Sequence, residues 1–157
     1  MASPAAKVNF QLLNGDNYLP AYELQRQCHQ YPWCQETFAS CLEGQYFAWQ
    51  MMQGQQLLGF YVGLQVLDEG TLMDIGLAPQ ARGKGLSQPL LDHFLMQCRD
   101  KGISEIWLEV RVSNQGAIYL YRKNGFQVIE TRKNYYPTEQ GREDALIMKL
   151  ADLTIKS

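Results

Sequence analysis

Apolar and polar positions change period several times along the chain, and each change predicts an element. Val8–Leu13 alternates weakly, as a half-buried strand does. Asn14-Gly15-Asp16 is a turn signal, and Asp16 or Asn17 is suited to cap a helix that runs through Leu24 to about Gln30. Tyr31-Pro32-Trp33 ends that helix, because a residue before proline avoids helical angles. A short helix is expected over Gln35–Leu42. Strands are expected over Gln45–Met51 and Leu57–Val66, joined as a hairpin at Gln53-Gly54-Gln55, and then over Thr71–Leu77, stopped by Ala78-Pro79. Leu86, Leu90, Leu91, Phe94, Leu95 and Cys98 recur at i, i+4, i+5, i+8, i+9 and i+12, one face of a helix that Lys101-Gly102 closes. Ile106–Val112 reads as a strong strand. Ser113-Asn114 caps a further helix that stops at Asn124-Gly125, where glycine takes the left-handed position and Phe126 packs back. Val128–Tyr135 and Ala145–Leu150 read as the closing strands, with Tyr135-Tyr136-Pro137 at the loop after the first of them.

The order βααβββαβαββ, without repeat or linker, predicts one α/β domain over residues 1–157. Its sheet should be mixed but mostly antiparallel, with six to seven strands and about four helices (an α+β arrangement). Hydrophobic residues make up 46% and charged residues 19%, an ordinary globular balance. A net charge of −2 argues against sequence-independent nucleic-acid binding, which needs an excess of Lys and Arg. No apolar run approaches the ~18 residues of a membrane span. The opening MASPAAKVNF has no apolar leader core, so the cytoplasm is the expected compartment. The cysteines Cys28, Cys34, Cys41 and Cys98 form no C-x-x-C pair and have no ligand spacing to His29 or His93, so they read as reduced, half-buried thiols and no metal is expected. His93 is expected on a helix surface or groove.

The chemistry concentrates at two stretches. The first is Ala81-Arg82-Gly83-Lys84-Gly85-Leu86-Ser87-Gln88, between a strand and a helix. The first N–H groups of a helix have no internal partner and carry the positive end of its dipole. Gly83 and Gly85 allow positive φ, and Arg82 and Lys84 add charge, which together fit a pyrophosphate-sized anion. A P-loop fails because Gly85 follows Lys84, and a dinucleotide fingerprint fails because Gln88 stands where its third glycine belongs. A plain helix start with surface cations would look the same.

The second stretch is Trp107–Phe126. On its strand Ile106, Leu108, Val110 and Val112 face one way, and Trp107, Glu109 and Arg111 the other. Glu109 is therefore a candidate proton acceptor or part of a solvated face. A neighbouring Trp107 would raise its pKa by desolvation and Arg111 would oppose that. Tyr121 and Asn114 have plain alternatives as a core aromatic and a helix cap.

Arg82-x-x-Gly85-x-Ser87 resembles the R/Q-x-x-G-x-G/A signature of the GNAT acetyltransferases, with serine in place of the last small residue. Asn114-x-x-Ala117-x-x-Leu120-Tyr121-x-x-x-Gly125-Phe126 matches the family's second motif without departure. IWLEVRVSN at 106–114, YPWCQETF at 31–38 and RKNYYPTEQGREDALIM at 132–148 are similar to the RimI-type branch, which acetylates the N-terminal alanine of a small-subunit ribosomal protein. The resemblance implies the GNAT fold and acetyl-coenzyme A as cosubstrate. It places the cofactor at Ile75, Gly76, Leu77, Arg82, Gly83, Lys84, Gly85, Leu86, Ser87, Gln88 and Asn114. The strand Met73–Leu77 would offer backbone groups to the pantetheine arm, and Leu77 N–H would polarise the thioester. The resemblance further implies Glu109 as proton acceptor and Tyr121 as proton donor to the leaving thiolate. Tyr135, Tyr136 and Trp33 would contact the acceptor peptide, and Glu36, Glu43, Asp74 and Asp144 are acidic candidates for a basic one. A monomer is expected, with no direct nucleic-acid or membrane partner. Acetylation of a lysine or small amine, and a non-catalytic coenzyme A sensor, are the competing readings.

Overall fold

The computed structural model describes residues 7–151 and residue 153; residues 1–6 of the opening stretch, read above as lacking a leader core, lie outside the described residues. The strands are β1 (Asn9–Leu12), β2 (Tyr46–Gln53), β3 (Gln56–Val66), β4 (Glu69–Leu77), β5 (Glu105–Arg111), β6 (Gln127–Thr138) and β7 (Gly141–Leu150). The helices are α1 (Leu19–Cys28), α2 (Gln35–Ser40), α3 (Ser87–Asp100) and α4 (Gln115–Lys123), with a 3-10 turn over Pro79–Ala81. The strands lie in the order β1-β2-β3-β4-β5-β7-β6. Pairing is antiparallel for β1–β2, β2–β3, β5–β7 and β6–β7 and parallel for β4–β5, the mixed and mostly antiparallel sheet expected. Among the described residues no helix is long and apolar enough to cross a membrane.

The chain parts into two compact units, one of residues up to Leu64 with Asp74–Leu95, the other of Gln65–Met73 with the residues from Met96 on. In the first, Phe38 of α2 is fully buried among the rings of Tyr18, Tyr22, Trp33 and Phe60, at centroid distances of 6.0, 5.6, 6.2 and 6.0 Å. The α3 face buries Leu90, Leu91, Phe94 and Leu95, with Phe94 stacked on Phe47 and edge-on to Tyr61. His93, expected on a helix surface or groove, is half-buried on this helix. Its ring stacks on Phe10 at 3.9 Å and its Nδ1 is hydrogen-bonded to the buried Tyr61 hydroxyl at 2.7 Å. The start of α1 also differs from expectation. Asn17 Oδ1 accepts from Asn14 N–H and its Nδ2 donates to Leu12 O, so the side chain ties the turn instead of capping, and the helix begins at Leu19 with Pro20 in its first turn.

The second unit is centred on Ile103, Ile106, Leu108, Phe126 and Met148, all nearly inaccessible. On β5 the apolar face is buried and Trp107, Glu109 and Arg111 are more open, as alternation required. At the end of α4, Phe126 N–H bonds to Tyr121 O and Gly125 N–H to Arg122 O, with Gly125 at φ +99. This is a Schellman closure, and the Phe126 ring completes it by packing on Tyr121 at 5.7 Å. β7 begins at Gly141, four residues before Ala145. Arg142, Glu143 and Asp144 look like a polar loop, yet each side chain is bonded within the unit. Tyr135, Tyr136 and Pro137 likewise belong to β6 and not to a loop.

Candidate active site

The glycine turn forms in the first unit. β4 ends at Leu77, the 3-10 turn Pro79–Ala81 follows, and α3 starts at Ser87. Gly83 and Gly85 have φ +74 and +75, and a side chain at either would meet nothing within 4 Å. They are required by conformation and not by crowding. Two left-handed residues in three turn successive N–H groups toward one side, a concave shape ahead of a helix N-terminus that is suited to an anion. Arg82 does not reach outward from it. Its Nε donates to Leu77 O at 3.2 Å and its Nη2 to Cys28 Sγ at 3.7 Å, so it fastens the turn to the end of β4.

Leu77 O also accepts from Cys28 Sγ at 3.7 Å. Gly76 has a packing reason of its own, since a Cβ there would lie 2.9 Å from Cys28 Sγ. Beside it, His29 Nε2 donates to both Asp74 oxygens at 2.9 and 3.1 Å, and Asp74 Oδ1 accepts from Ile75 N–H at 2.9 Å. Asp74 is thus a buried anchor between the end of α1 and β4. Cys28 and this pair escaped the sequence reading, because nothing local links residues separated by more than forty positions. Burial pushes the Cys28 thiol above its ordinary pKa, against the lowering effect of Arg82. Of the four free cysteines Cys28 is half-buried as expected, whereas Cys34 is exposed and Cys41 and Cys98 are buried.

In the second unit a cavity of about 480 Å³ is lined by residues of four strands, with Glu109 on its wall beside Trp107, Arg132, Tyr135, Tyr136 and Met73. The Glu109 side chain is 38% exposed. Its Oε2 accepts from Arg132 Nη1 at 3.5 Å and from Tyr135 OH at 3.4 Å. Oε1 accepts no hydrogen bond from the described residues. One oxygen is steadied and the other takes no hydrogen bond from the described residues, a disposition suited to accepting a proton. The neighbours differ from those expected. Trp107 Nε1 donates to Glu105 at 3.0 Å, and Arg111 is bound to Glu143 Oε2 and Pro137 O, both at 3.1 Å. The cation beside Glu109 is Arg132, which no periodicity in β6 singled out.

Arg111 also lies 4.4 Å from the centre of the Tyr136 ring. Burial first, and then the Glu109 charge, push the Tyr136 hydroxyl up to about 12. Tyr136 is therefore neutral through the neutral range, an apolar wall with a hydroxyl rather than a base. Tyr135 meets it edge-on at 5.1 Å. Glu143 accepts from Ser113 N–H at 3.2 Å as well as from Arg111, so it joins β7 to the turn that opens α4.

On α4, Asn114 caps the helix, its Oδ1 accepting from Ala117 N–H at 3.2 Å. Tyr121 is 5% exposed and is not among the residues lining the Glu109 cavity. Trp33, half-buried, packs on Phe38. Of the acidic candidates, Asp144 is taken up by Asn134 N–H and Lys133, and Glu36 and Glu43 are exposed. Among the described residues no group of three or more His, Cys, Asp or Glu could hold a metal ion.

A seven-stranded sheet with four helices, a glycine turn opening α3 and a carboxylate in a tyrosine-walled cavity define an acyl-transfer class, and residues 18–126 match the acetyltransferase (GNAT) family, to which the chain belongs. Within it, the chain is 42% identical over 130 residues to the [ribosomal protein bS18]-alanine N-acetyltransferase of Escherichia coli strain K12, covering 83% of this chain and 88% of that protein. The enzyme of the same name from Haemophilus influenzae is 39% identical over 128 residues, covering 81% and 87%. The crystal structure of the ribosomal-protein-S18-alanine N-acetyltransferase from Escherichia coli superposes with a TM-score of 0.89 at 36% identity, covering 96% of this chain and 97% of that one.

Proposed function

We propose that the protein transfers the acetyl group of acetyl-coenzyme A to the α-amino group of an N-terminal alanine on a small-subunit ribosomal protein, the reaction named for its relatives. The observation that carries the reading is Glu109 on the cavity wall, with Oε2 steadied by Arg132 and Tyr135 and Oε1 without a hydrogen bond from the described residues.

The acceptor amine attacks only as the free base. A peptide α-amine titrates near pKa 8 and a lysine near 10.4, a difference of about 3 kcal/mol in favour of deprotonating the α-amine. A carboxylate is base enough for the first, directly or through one water, and poorly matched to the second. Acetyl-coenzyme A supplies the activated acyl group as a thioester. The turn Arg82–Gln88 fits its pyrophosphate, because Gly83 and Gly85 hold their N–H groups in a cradle with open space where side chains would be. Ile75, Gly76 and Leu77 are assigned to the pantetheine arm, and Asn114 to a further cofactor contact beside its capping role. Tyr121 is assigned to the departing sulfur. Proton transfer from a tyrosine near 10 to a thiolate near 8.5 is uphill by about 2 kcal/mol, so its hydroxyl acts chiefly as a hydrogen-bond donor as charge develops. Tyr135, Tyr136 and Trp33 are assigned to the first residues of the acceptor.

The test is incubation with acetyl-coenzyme A and a basic peptide that begins with free alanine and carries an internal lysine, followed by fragment mass spectrometry. Acetyl on the alanine nitrogen is expected. Acetyl on lysine alone would replace the acceptor assignment with the lysine reading, and cofactor binding without any product would favour the sensor.

A further inference from the structure

Tyr135 and Tyr136 are neighbours in sequence, and neighbours on a regular strand face opposite ways. Both nevertheless line the Glu109 cavity. The cause is an excursion in β6. Arg132 pairs with Ala145 and Tyr136 with Glu143, so four steps along β6 are matched by two along β7. Asn134, inside the excursion, has φ +53, a left-handed value that asparagine tolerates better than most residues but does not prefer. The backbone groups of this segment leave the regular ladder and need other partners.

Two side chains of β7 supply them. Arg142 Nε donates to Asn134 O at 2.7 Å and Arg142 Nη2 to Tyr135 O at 2.9 Å. Asp144 Oδ1 accepts from Asn134 N–H at 2.9 Å. The geometry points to Arg142 as a positioning residue that sets acceptor recognition from outside the cavity. One guanidinium grips two successive carbonyls and so fixes the backbone turn that brings both tyrosine rings to the side of Glu109. This rests on the reading of the two rings as walls for the acceptor. Arg142 does not line the cavity and touches no reacting atom. The planar fork is essential to the grip, because a lysine ammonium brings the charge without two N–H groups at a fixed angle.

Steady-state kinetics of Arg142→Gln and Arg142→Lys, with acetyl-coenzyme A and an alanine-starting peptide, test the assignment. KM for the peptide should rise about tenfold in both, the equivalent of one charge-assisted hydrogen bond, while kcat and KM for acetyl-coenzyme A stay within about twofold. An unchanged peptide KM in Arg142→Gln overturns the proposal. Full rescue by lysine overturns it as well, since charge alone would then suffice, and so does a fall in kcat at constant KM. Amide hydrogen exchange of the free protein reads the clamp without any substrate. Lys133–Tyr136 should exchange faster in Arg142→Gln, and unaltered exchange there also overturns the proposal. Absence of α-amine acetylation by the unaltered protein would overturn the functional reading instead, and the exchange result would still decide whether Arg142 holds the excursion.

Discussion

The glycine turn and the Glu109 cavity are built in opposite ways. The turn is a backbone device, made by consecutive residues: Arg82 points back to Leu77 O, and nothing crowds Gly83 or Gly85. The cavity is a side-chain device, assembled from β4, β5, β6 and β7, and its character depends on which chains the sheet register sets beside one another. A backbone device fails when a torsion becomes costly. A side-chain device fails when one functional group is removed. The two regions should therefore respond to different substitutions, in different kinetic constants.

The largest effect is expected in the cavity. Glu109→Gln keeps the shape and removes the proposed base, and general-base loss typically lowers kcat by about 10²–10⁴-fold. Acetyl-coenzyme A affinity, measured by calorimetry on the same variant, should stay within about twofold, since on the proposed reading the turn holds its ligand through backbone N–H groups away from Glu109. Tyr121→Phe should behave in the same sense, lowering kcat much more than affinity. A change confined to KM would remove Tyr121 from the chemistry, and a matching loss of cofactor affinity in Glu109→Gln would end the separation of the two regions.

A smaller effect of the opposite type is expected at the turn. Gly85→Ala meets no neighbour, so its cost is the left-handed torsion alone, roughly 1–2 kcal/mol. In the variant the free turn relaxes to avoid that torsion and must recover it on binding, so acetyl-coenzyme A binding should weaken by up to about five- to thirtyfold, with kcat at saturating cofactor retained. If affinity were unchanged while kcat fell, the turn would not be the anion cradle.

The same contrast explains what could be read in advance. The glycine turn was legible because its cause is local: a strand end, two glycines and a helix start lie within one short stretch. The Schellman closure that presents Tyr121 was legible for the same reason, as Asn124-Gly125-Phe126 states it in three residues. The place of Glu109 on the more open face of β5 was legible because strand alternation is also local. Its neighbours were not, because Arg132 reaches it only through the pairing of β5 with β7 and of β7 with β6. The excursion around Asn134 is held by side chains eight and ten residues away that resemble an ordinary polar loop. Asp74 was seen as a possible peptide contact, but its tie to His29 spans the first unit and is set by how α1 packs on β4.

Acidification should separate the regions through stability, with the smallest effects of the set. Burial lowers the pKa of His93 in the first unit below its ordinary value of 6.5. The unfolded chain then binds the proton more readily, so stability is full above the ordinary histidine value and declines as pH falls below it, until the folded value is passed. In the second unit, hydrogen bonding from Ser113 and then Arg111 hold Glu143 below its ordinary 4.5. Its contribution is present above that value and is lost only as pH falls toward the folded one. Thermal unfolding of the wild type, His93→Gln and Glu143→Gln across pH should show this order, with shifts of roughly 2–4 °C for each kcal/mol at this chain length. Between about pH 7 and pH 5 the wild type should lose stability relative to His93→Gln, while its advantage over Glu143→Gln stays constant and shrinks only in the carboxylate range. If the Glu143 advantage disappeared near pH 6, the Arg111–Glu143–Ser113 network would not be what joins β7 to the start of α4, and the side-chain device would have to draw its order from the strand pairing alone.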